Sequence, residues 1–122
     1  MYDDKILNEL LEGWEDVYKK GQLTLWVLLA VRDAPRHTKE INDFIADATN
    51  AKFSVDSNSL YRALKRYEKA QLIRHKLKPG NAGPDLKVYT LTDLGGALLD
   101  QFIQRNVVSV YYDKHVIRLM KG

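Results

Sequence analysis

The chain has 122 residues, of which 45% are hydrophobic and 29% charged, a balance typical of one folded globular domain rather than a disordered chain. Cysteine is absent, which excludes disulfides, a thiolate nucleophile and cysteine-ligated zinc. We identify no apolar run long enough to cross a bilayer and no secretory leader after Met1, so we expect a cytoplasmic protein without a membrane partner.

The net charge of +3 is small, but the charges are unevenly distributed along the chain. Residues 1–16 carry six acids against a single cation, Lys5. Residues 62–78 carry one acid, Glu68, against a set of cations made up of Arg62, Lys65, Arg66, Lys69, Arg74, Lys76 and Lys78. Such a basic region attracts phosphate polyanions, although a charge run by itself is equally consistent with a solvated helix face.

The first half of the chain is predicted to be helical. Apolar residues recur every three or four positions from Ile6 to Tyr18, which predicts an amphipathic helix that ends at Gly21. A second helix from Gln22 to Asp33 is apolar nearly all round, so we expect it to form the buried centre of the fold. Pro35 closes it.

Two further helices follow. The third starts near His37 or Thr38 and has an inner face formed by Ile41, Phe44, Ile45 and Ala48. After a turn, the fourth helix is capped by Asp56 or Ser57 and runs to about Gln71.

The period then changes from helical to alternating. Residues 72–78 and 86–91 are predicted strands, and the loop between them is rich in glycine and proline, so the pair forms a β-hairpin. Thr92 and Asp93 open a last helix. Beyond Asn106 strand propensity competes with a helical stripe, and we expect a helix with a break near Asn106.

Three helices followed by a hairpin is the order of a winged helix-turn-helix, so we predict a mainly α fold with a small β-hairpin. At about 100° per residue, one side of the fourth helix carries Asn58, Tyr61, Arg62, Lys65 and Lys69. The opposite side carries the apolar set Leu60, Ala63, Leu64 and Tyr67. A helix that reads the major groove needs this buried back and polar front.

The predicted contacts to double-stranded DNA fall into three groups. Residues near the start of the fourth helix are placed to contact base edges: Ser57, Asn58, Ser59, Tyr61 and Arg62. Lys65, Arg66 and Lys69 are placed to contact phosphates, as are the hairpin cations Lys76, Lys78 and Lys87.

Several segments are similar to one known family. These are GQLTLWVLLA at 21–30, Pro35-Arg36-His37, SLYRALKR at 59–66 and YTLTDLG at 89–95, and they resemble the PadR family of bacterial transcription regulators over roughly residues 21–99. The resemblance implies a repressor that binds an operator and is often released by a small aromatic effector. It also implies a homodimer formed by the N-terminal helix and the C-terminal helical segment.

The resemblance adds further residues to these predictions. Thr38 and Lys39 stand where the family usually has Gly-Tyr, so Lys39 is expected to contact a phosphate instead, and Tyr89 of the family motif joins the DNA contacts. We expect a dimer helix at 1–20, a DNA-binding domain at 21–91 and a dimerisation segment at 92–122. The expected dimer contacts are Leu7, Leu10, Trp14, Phe102 and Ile103.

No catalytic set, cofactor site or metal site is predicted. His37, His75 and His115 lack metal-ligand spacing, and no serine has an arranged base. Trp14 and Trp26 are expected in the core, although they could stack on a planar ligand. Two alternatives to a DNA-binding regulator stay open: a winged-helix module that binds a protein, and a ligand sensor in which DNA binding is secondary.

Overall fold

A computed structural model describes all 122 residues of the chain. It contains seven α-helices, one π-helical turn and one two-stranded antiparallel sheet. In chain order the elements are α1 (Asp4–Lys20), α2 (Leu23–Asp33), α3 (Thr38–Ala48), α4 (Ser57–Lys69), β1 (Ile73–Lys78), β2 (Leu86–Leu91), α5 (Asp93–Ile103), the π turn (Gln104–Val108), α6 (Ser109–Tyr111) and α7 (Lys114–Met120). None of the helices combines the length and the apolar character that crossing a membrane requires.

Helix α2 is the centre of the core, as its nearly continuous apolar sequence predicts. Val27, Leu28, Ala30 and Val31 are each at most 3% exposed. Side chains from α3, α4, β1, β2 and α5 complete the same hydrophobic cluster around them. Burial removes these apolar side chains from water, which is the dominant favourable term in folding.

The turn between α3 and α4 is held by side chains that bond to the backbone. Thr49 donates its hydroxyl to the Ile45 carbonyl at 2.8 Å and accepts the Phe53 N–H at 3.2 Å. Asp56 caps α4 by accepting the Ser59 N–H at 2.9 Å. These bonds satisfy groups that the ends of the two helices would otherwise leave unpaired.

The hairpin, which we call the wing together with its loop at 79–85, has its root fixed to the helices. β1 and β2 pair from Ile73↔Leu91 at the root to Lys78↔Leu86 near the tip. Arg36 and Tyr89 exchange two backbone hydrogen bonds of 3.1 and 2.8 Å, which add a short third strand segment. The arrangement is that of a winged helix, and the fold prediction is confirmed.

The end of α4 differs from the prediction by about two residues. The helix stops at Lys69, and Gln71 takes the left-handed conformation with a φ of 64°. The Leu72 N–H then donates to the Tyr67 carbonyl at 2.9 Å, so the chain turns sharply into β1. This helix-ending geometry usually falls on glycine, and its absence at position 71 explains why the boundary was placed too late.

The start of α5 is packed closely against the end of this turn. The Thr92 side chain caps α5 by accepting the Gly95 N–H at 3.0 Å, and it donates to the Gln71 carbonyl at 2.6 Å. A Cβ at Gly95 would lie 2.1 Å from the Leu72 carbonyl oxygen, so only glycine allows this approach.

The C-terminal segment is helical, as expected, but the break lies elsewhere. Near Asn106 the helix widens into the π turn without stopping, and the chain breaks only at Tyr112 and Asp113. Asp113 then caps α7 by accepting the N–H groups of His115 and Val116 at 2.9 and 3.1 Å. A capping aspartate therefore fixes the break, and the strand propensity of residues 107–112 is overridden.

Helix α1, in contrast to α2, has no buried residue. Its apolar face is open along its whole length, and Trp14 is 74% exposed. The expectation that Trp14 belongs to the core is wrong within one chain. Trp26 is half-buried against the core, and its indole N–H donates to Gln22 at 3.1 Å.

Candidate nucleic-acid interface

Helix α4 presents one face to the core. Leu60, Ala63 and Leu64 are fully buried, and Tyr67 is 6% exposed. The Tyr67 hydroxyl lies 2.8 Å from the Thr24 hydroxyl of α2, which ties the back of α4 to the central helix. The helix is therefore held rigidly from behind, as a recognition element needs to be.

The opposite face of α4 is exposed and carries the predicted DNA contacts. Exposed side chains on this helix are Ser57, Asn58, Tyr61, Arg62, Lys65, Arg66 and Lys69. The Lys65 ammonium lies 5.1 Å from the centre of the Tyr61 ring, a cation–π distance. The outward direction predicted for these side chains is confirmed, while their contact with DNA stays a prediction.

Ser59 is the exception among the predicted base contacts. It is half-buried, and its hydroxyl donates to the Asp56 carboxylate at 2.7 Å. This bond, more than any other contact, lowers the pKa of Asp56 below its usual range. Arg62 approaches the same hydroxyl at 3.4 Å. The position of Ser59 therefore favours a role in forming the start of α4.

The wing divides its cations between two faces. Residues that pair across an antiparallel sheet share a face, so Lys76 and Lys78 lie on one side with Arg74. Lys87 pairs with Leu77 on the other side. All four cations are exposed, but they do not form one continuous patch.

Tyr89 does not fit its prediction as a DNA contact. It is 4% exposed and belongs to the hydrophobic core. Its ring packs edge to face with the His75 ring, and the two ring centroids are 5.9 Å apart. Burial, followed by the nearby negative charge of Glu68, raises the pKa of Tyr89 above its usual value. The side chain fixes the wing against the helices and is not available to a ligand.

The first turn of α3 holds the two remaining predicted contacts. Lys39 is exposed, and Thr38 is half-buried beside it. Glu40 accepts the His37 N–H at 3.1 Å and closes this helix start. Lys39 is thus free to reach a phosphate, whereas Thr38 offers only part of its surface.

Three features of this region were missed or underweighted in the sequence. Arg74 is exposed on the same face of the wing as Lys76 and Lys78, where the two-residue period of the strand places it. Leu77 is 63% exposed on the wing, where an apolar side chain can enter a minor groove. A contact between Glu68 and His75 joins α4 to β1, and no short-range pattern predicts it.

The predicted dimer residues do not all remain available. Leu7, Leu10, Trp14 and Phe102 are between 44% and 74% exposed. Ile103 instead is half-buried and packs against the core of its own chain. Ile103 is not available to a partner because the direction of α5 turns both Leu99 and Ile103 inward.

An apolar cleft of about 280 Å³ opens beside these residues. Its walls come from the start of α2 and from α5, and include Leu25, Leu28, Leu98 and Phe102. A wider groove of about 500 Å³ adjoins it and includes Trp26 and Tyr111. The structure contains no group of His, Asp and Glu side chains arranged to hold a metal ion.

Comparisons with known proteins agree with this geometry. The PadR-like family of transcriptional regulators matches residues 27–101. A curated but uncharacterized protein of Lysinibacillus sphaericus is 28% identical over 85 residues, which cover 70% of this chain and 78% of that protein.

Solved structures give the same result. A PadR-like transcriptional regulator of Bacillus cereus is 29% identical with a TM-score of 0.65, covering 84% of this chain and 95% of that one. Bacillus subtilis PadR, solved in complex with operator DNA, has a TM-score of 0.61 at 21% identity. That match covers 66% of this chain and 46% of the other, and at this identity it shows the fold alone.

The family match spans most of the core helix α2, the helix-turn-helix, the wing and most of α5. Members of this family are transcription regulators and not enzymes. The chain therefore belongs to the PadR-like family of transcriptional regulators.

Proposed function

We propose that the protein is a sequence-specific regulator that binds double-stranded DNA as a homodimer and represses transcription. The observation that carries the proposal is the polar, cationic face of α4, which is exposed while the back of the same helix is buried. That combination lets a helix enter a major groove without losing its packing.

In this proposal some residues of α4 contact base edges and others contact phosphates. Asn58 and Arg62, near its start, donate to base edges, and Arg62 can bond a guanine through two N–H groups. Lys65, Arg66 and Lys69 bind phosphates and set the register of the helix on the duplex. The wing cations Lys76 and Lys78 follow the backbone beside it.

The homodimer is supported by apolar surface and by charge. Leu7, Leu10 and Trp14 leave an apolar stripe on α1 that a soluble chain normally covers. Residues 1–20 carry six acids against three cations, and residues 104–122 carry four cations against one acid. We infer that residues 1–20 of one protomer pack on the segment 92–122 of its partner, whose cationic end at 104–122 faces the acids of α1, with residues 21–91 as the DNA-binding domain.

A two-fold axis has a direct consequence for the operator. Two copies of α4 would face successive major grooves about 34 Å apart, so the preferred target is an inverted repeat. A planar aromatic effector fits the cleft beside Leu25, Leu28 and Phe102, where stacking on a ring is available. Binding there would act on the helix that leads into the dimer contact.

The test is the triple substitution of Arg62, Lys65 and Lys76 by Ala, measured by fluorescence anisotropy on selected and random duplexes. Arg62→Ala alone should cost about 1–3 kcal/mol on the selected site and relax specificity. Lys65→Ala and Lys76→Ala should weaken all duplexes and reduce the salt slope by about one unit for each lost phosphate contact.

A matched control keeps the same change in total charge. Lys52 is an exposed cation outside α4, the wing and the proposed dimer segments, and Lys52→Ala, compared with Lys65→Ala at the same total charge, should preserve affinity and salt slope. Equal binding by the Arg62, Lys65 and Lys76 variant and the unmodified protein would refute the DNA assignment. Absence of any retention on heparin or duplex at low salt would favour a protein-binding winged helix instead.

A further inference from the structure

One contact joins the reading helix to the wing. Glu68, near the end of α4, bonds through its carboxylate to Nδ1 of His75 on β1. The two side chains are 32% and 28% exposed, so the contact is partly shielded from water. The backbone between them passes through the sharp turn at Gln71, and the side-chain contact closes that turn from outside.

The contact lies at the edge of the proposed DNA surface. Around α4, Glu68 is about 20° from Tyr61 and about 80° from Asn58, on the flank that faces the wing. Glu68 is also the one acid between Arg62 and Lys78. A carboxylate at this position repels a phosphate backbone unless a cation compensates its charge.

The surroundings of His75 are simple. Glu68 faces it from α4 and Tyr89 faces it from β2, while Arg74 and Lys76 flank it on β1 and point to the other side of the sheet. The raised pKa of Tyr89 keeps that phenol neutral through the physiological range. Histidine is therefore the group at this seam whose ordinary titration falls between pH 5 and 8.

We propose that His75 is a positioning residue for DNA binding: its bond to Glu68 holds the wing beside α4, and its protonation strengthens binding to the duplex. The inference rests on the proposed function. A neutral imidazole can donate Nδ1–H to the carboxylate, so the wing is held in both protonation states. Protonation adds a positive charge that offsets Glu68.

The sign of the pH dependence follows from linkage. DNA is a polyanion, so the complex binds the proton on His75 more tightly than the free protein does. Affinity is therefore highest when the imidazole is protonated at low pH, and it falls as pH rises through the imidazole titration. One proton-linked site of this kind gives a change of about threefold to tenfold.

The experiment measures the dissociation constant for one duplex from pH 5.5 to 8.5, in steps of about one unit around the ordinary histidine titration, at constant ionic strength. His75→Gln retains an N–H donor for Glu68 without a titrating group, so it should bind like the unmodified protein at high pH and lose the gain at low pH. His75→Ala loses the bond as well and should bind about three- to tenfold more weakly even at high pH.

Two further variants keep the test interpretable if these substitutions lower stability. Glu68→Gln removes the acid that repels the phosphate backbone while leaving an amide oxygen to accept from His75, so affinity should rise at high pH, where the imidazole does not offset that acid. His37→Gln alters the other histidine–carboxylate pair, with Glu40 at 3.3 Å, and should keep the unmodified profile. Thermal unfolding of each variant checks that the fold is intact.

The outcomes separate the two levels of the proposal. Equal pH profiles for the unmodified protein and His75→Gln would refute the role of protonation. Unchanged affinity of a folded His75→Ala variant would refute the positioning role. Failure of the unmodified protein to bind duplex at any pH would refute the proposed function itself, and this inference with it.

Discussion

The winged-helix module and the terminal helix α1 handle their apolar residues in opposite ways. Of the 14 buried hydrophobic residues, 13 lie between Val27 and Tyr89, and the remaining one is Leu99 in α5. Helix α1 buries none, although its apolar residues recur every three or four positions along one face. The module that carries the proposed DNA-reading face is thus complete in one chain, while α1 presents an apolar surface that one chain leaves uncovered.

This difference shows that an amphipathic helix can be completed either within one chain or by a second chain. An apolar stripe states that a helix needs a partner, but it does not state whether the partner belongs to the same chain. The nearly all-apolar α2 is buried inside the fold, because only Thr24, Arg32 and Asp33 among its residues suit water. The strongly acidic outer face of α1 leaves solvent or a cationic partner as its neighbours.

The largest expected effect tests whether the module carries the stability of one chain. Leu64→Ala removes a fully buried side chain from the back of α4 and should lower the free energy of unfolding by about 2–5 kcal/mol. Leu10→Ala in α1, where the side chain is 67% exposed, should cost less than about 0.5 kcal/mol in the monomer. Urea unfolding at low protein concentration gives both values, and similar losses would contradict the contrast.

An intermediate effect tests whether α1 is a dimer element. Leu10→Asp places another carboxylate on an already acidic helix and should weaken dimerisation about tenfold to a hundredfold, because an unpaired charge is costly to bury. Sedimentation velocity over a concentration series measures this. Circular dichroism should show the winged helix unchanged. A monomeric unmodified protein at its highest soluble concentration would refute the dimer.

The smallest expected effect is on stability and concerns the backbone conformation of Gln71, inside the winged-helix module. Gln71 has a φ of 64°, a conformation that costs an L residue about 1–2 kcal/mol, so Gln71→Gly should raise the free energy of unfolding by about 0.5–1 kcal/mol after the entropy cost of glycine. Ala70→Gly is the matched control, because its φ of −79° is ordinary, and it should destabilise. Thermal unfolding compares the two. A loss at position 71 as large as that at position 70 would contradict the assigned strain.

Much of the module could be predicted from the sequence because local periods specify it. The buried α2, the helix-turn-helix and the outward direction of Arg62 and Lys65 all follow from spacing within one element. The wing followed from a change of period and a loop rich in glycine and proline. Patterns of this kind report on a residue and its near neighbours.

The differences arose where distant parts of the chain meet. Tyr89 is buried because the backbone of Arg36 pairs with it and because the strands turn it inward, and neither fact is local. Ile103 was assigned to a partner because the pitch of α5 relative to the core was unknown. The π turn replaced the break expected near Asn106, and an aspartate seven residues later supplied the break instead.

Gly95 brings the first turn of α5 into direct contact with the start of β1. No side chain separates the first turn of α5 from the Leu72 carbonyl, and the Thr92 hydroxyl is bonded to the Gln71 carbonyl. Helix α5 is therefore in direct contact with the turn that follows α4. A change in the tilt of α5 would therefore displace the Gln71–Leu72 backbone, and the root of the wing with it.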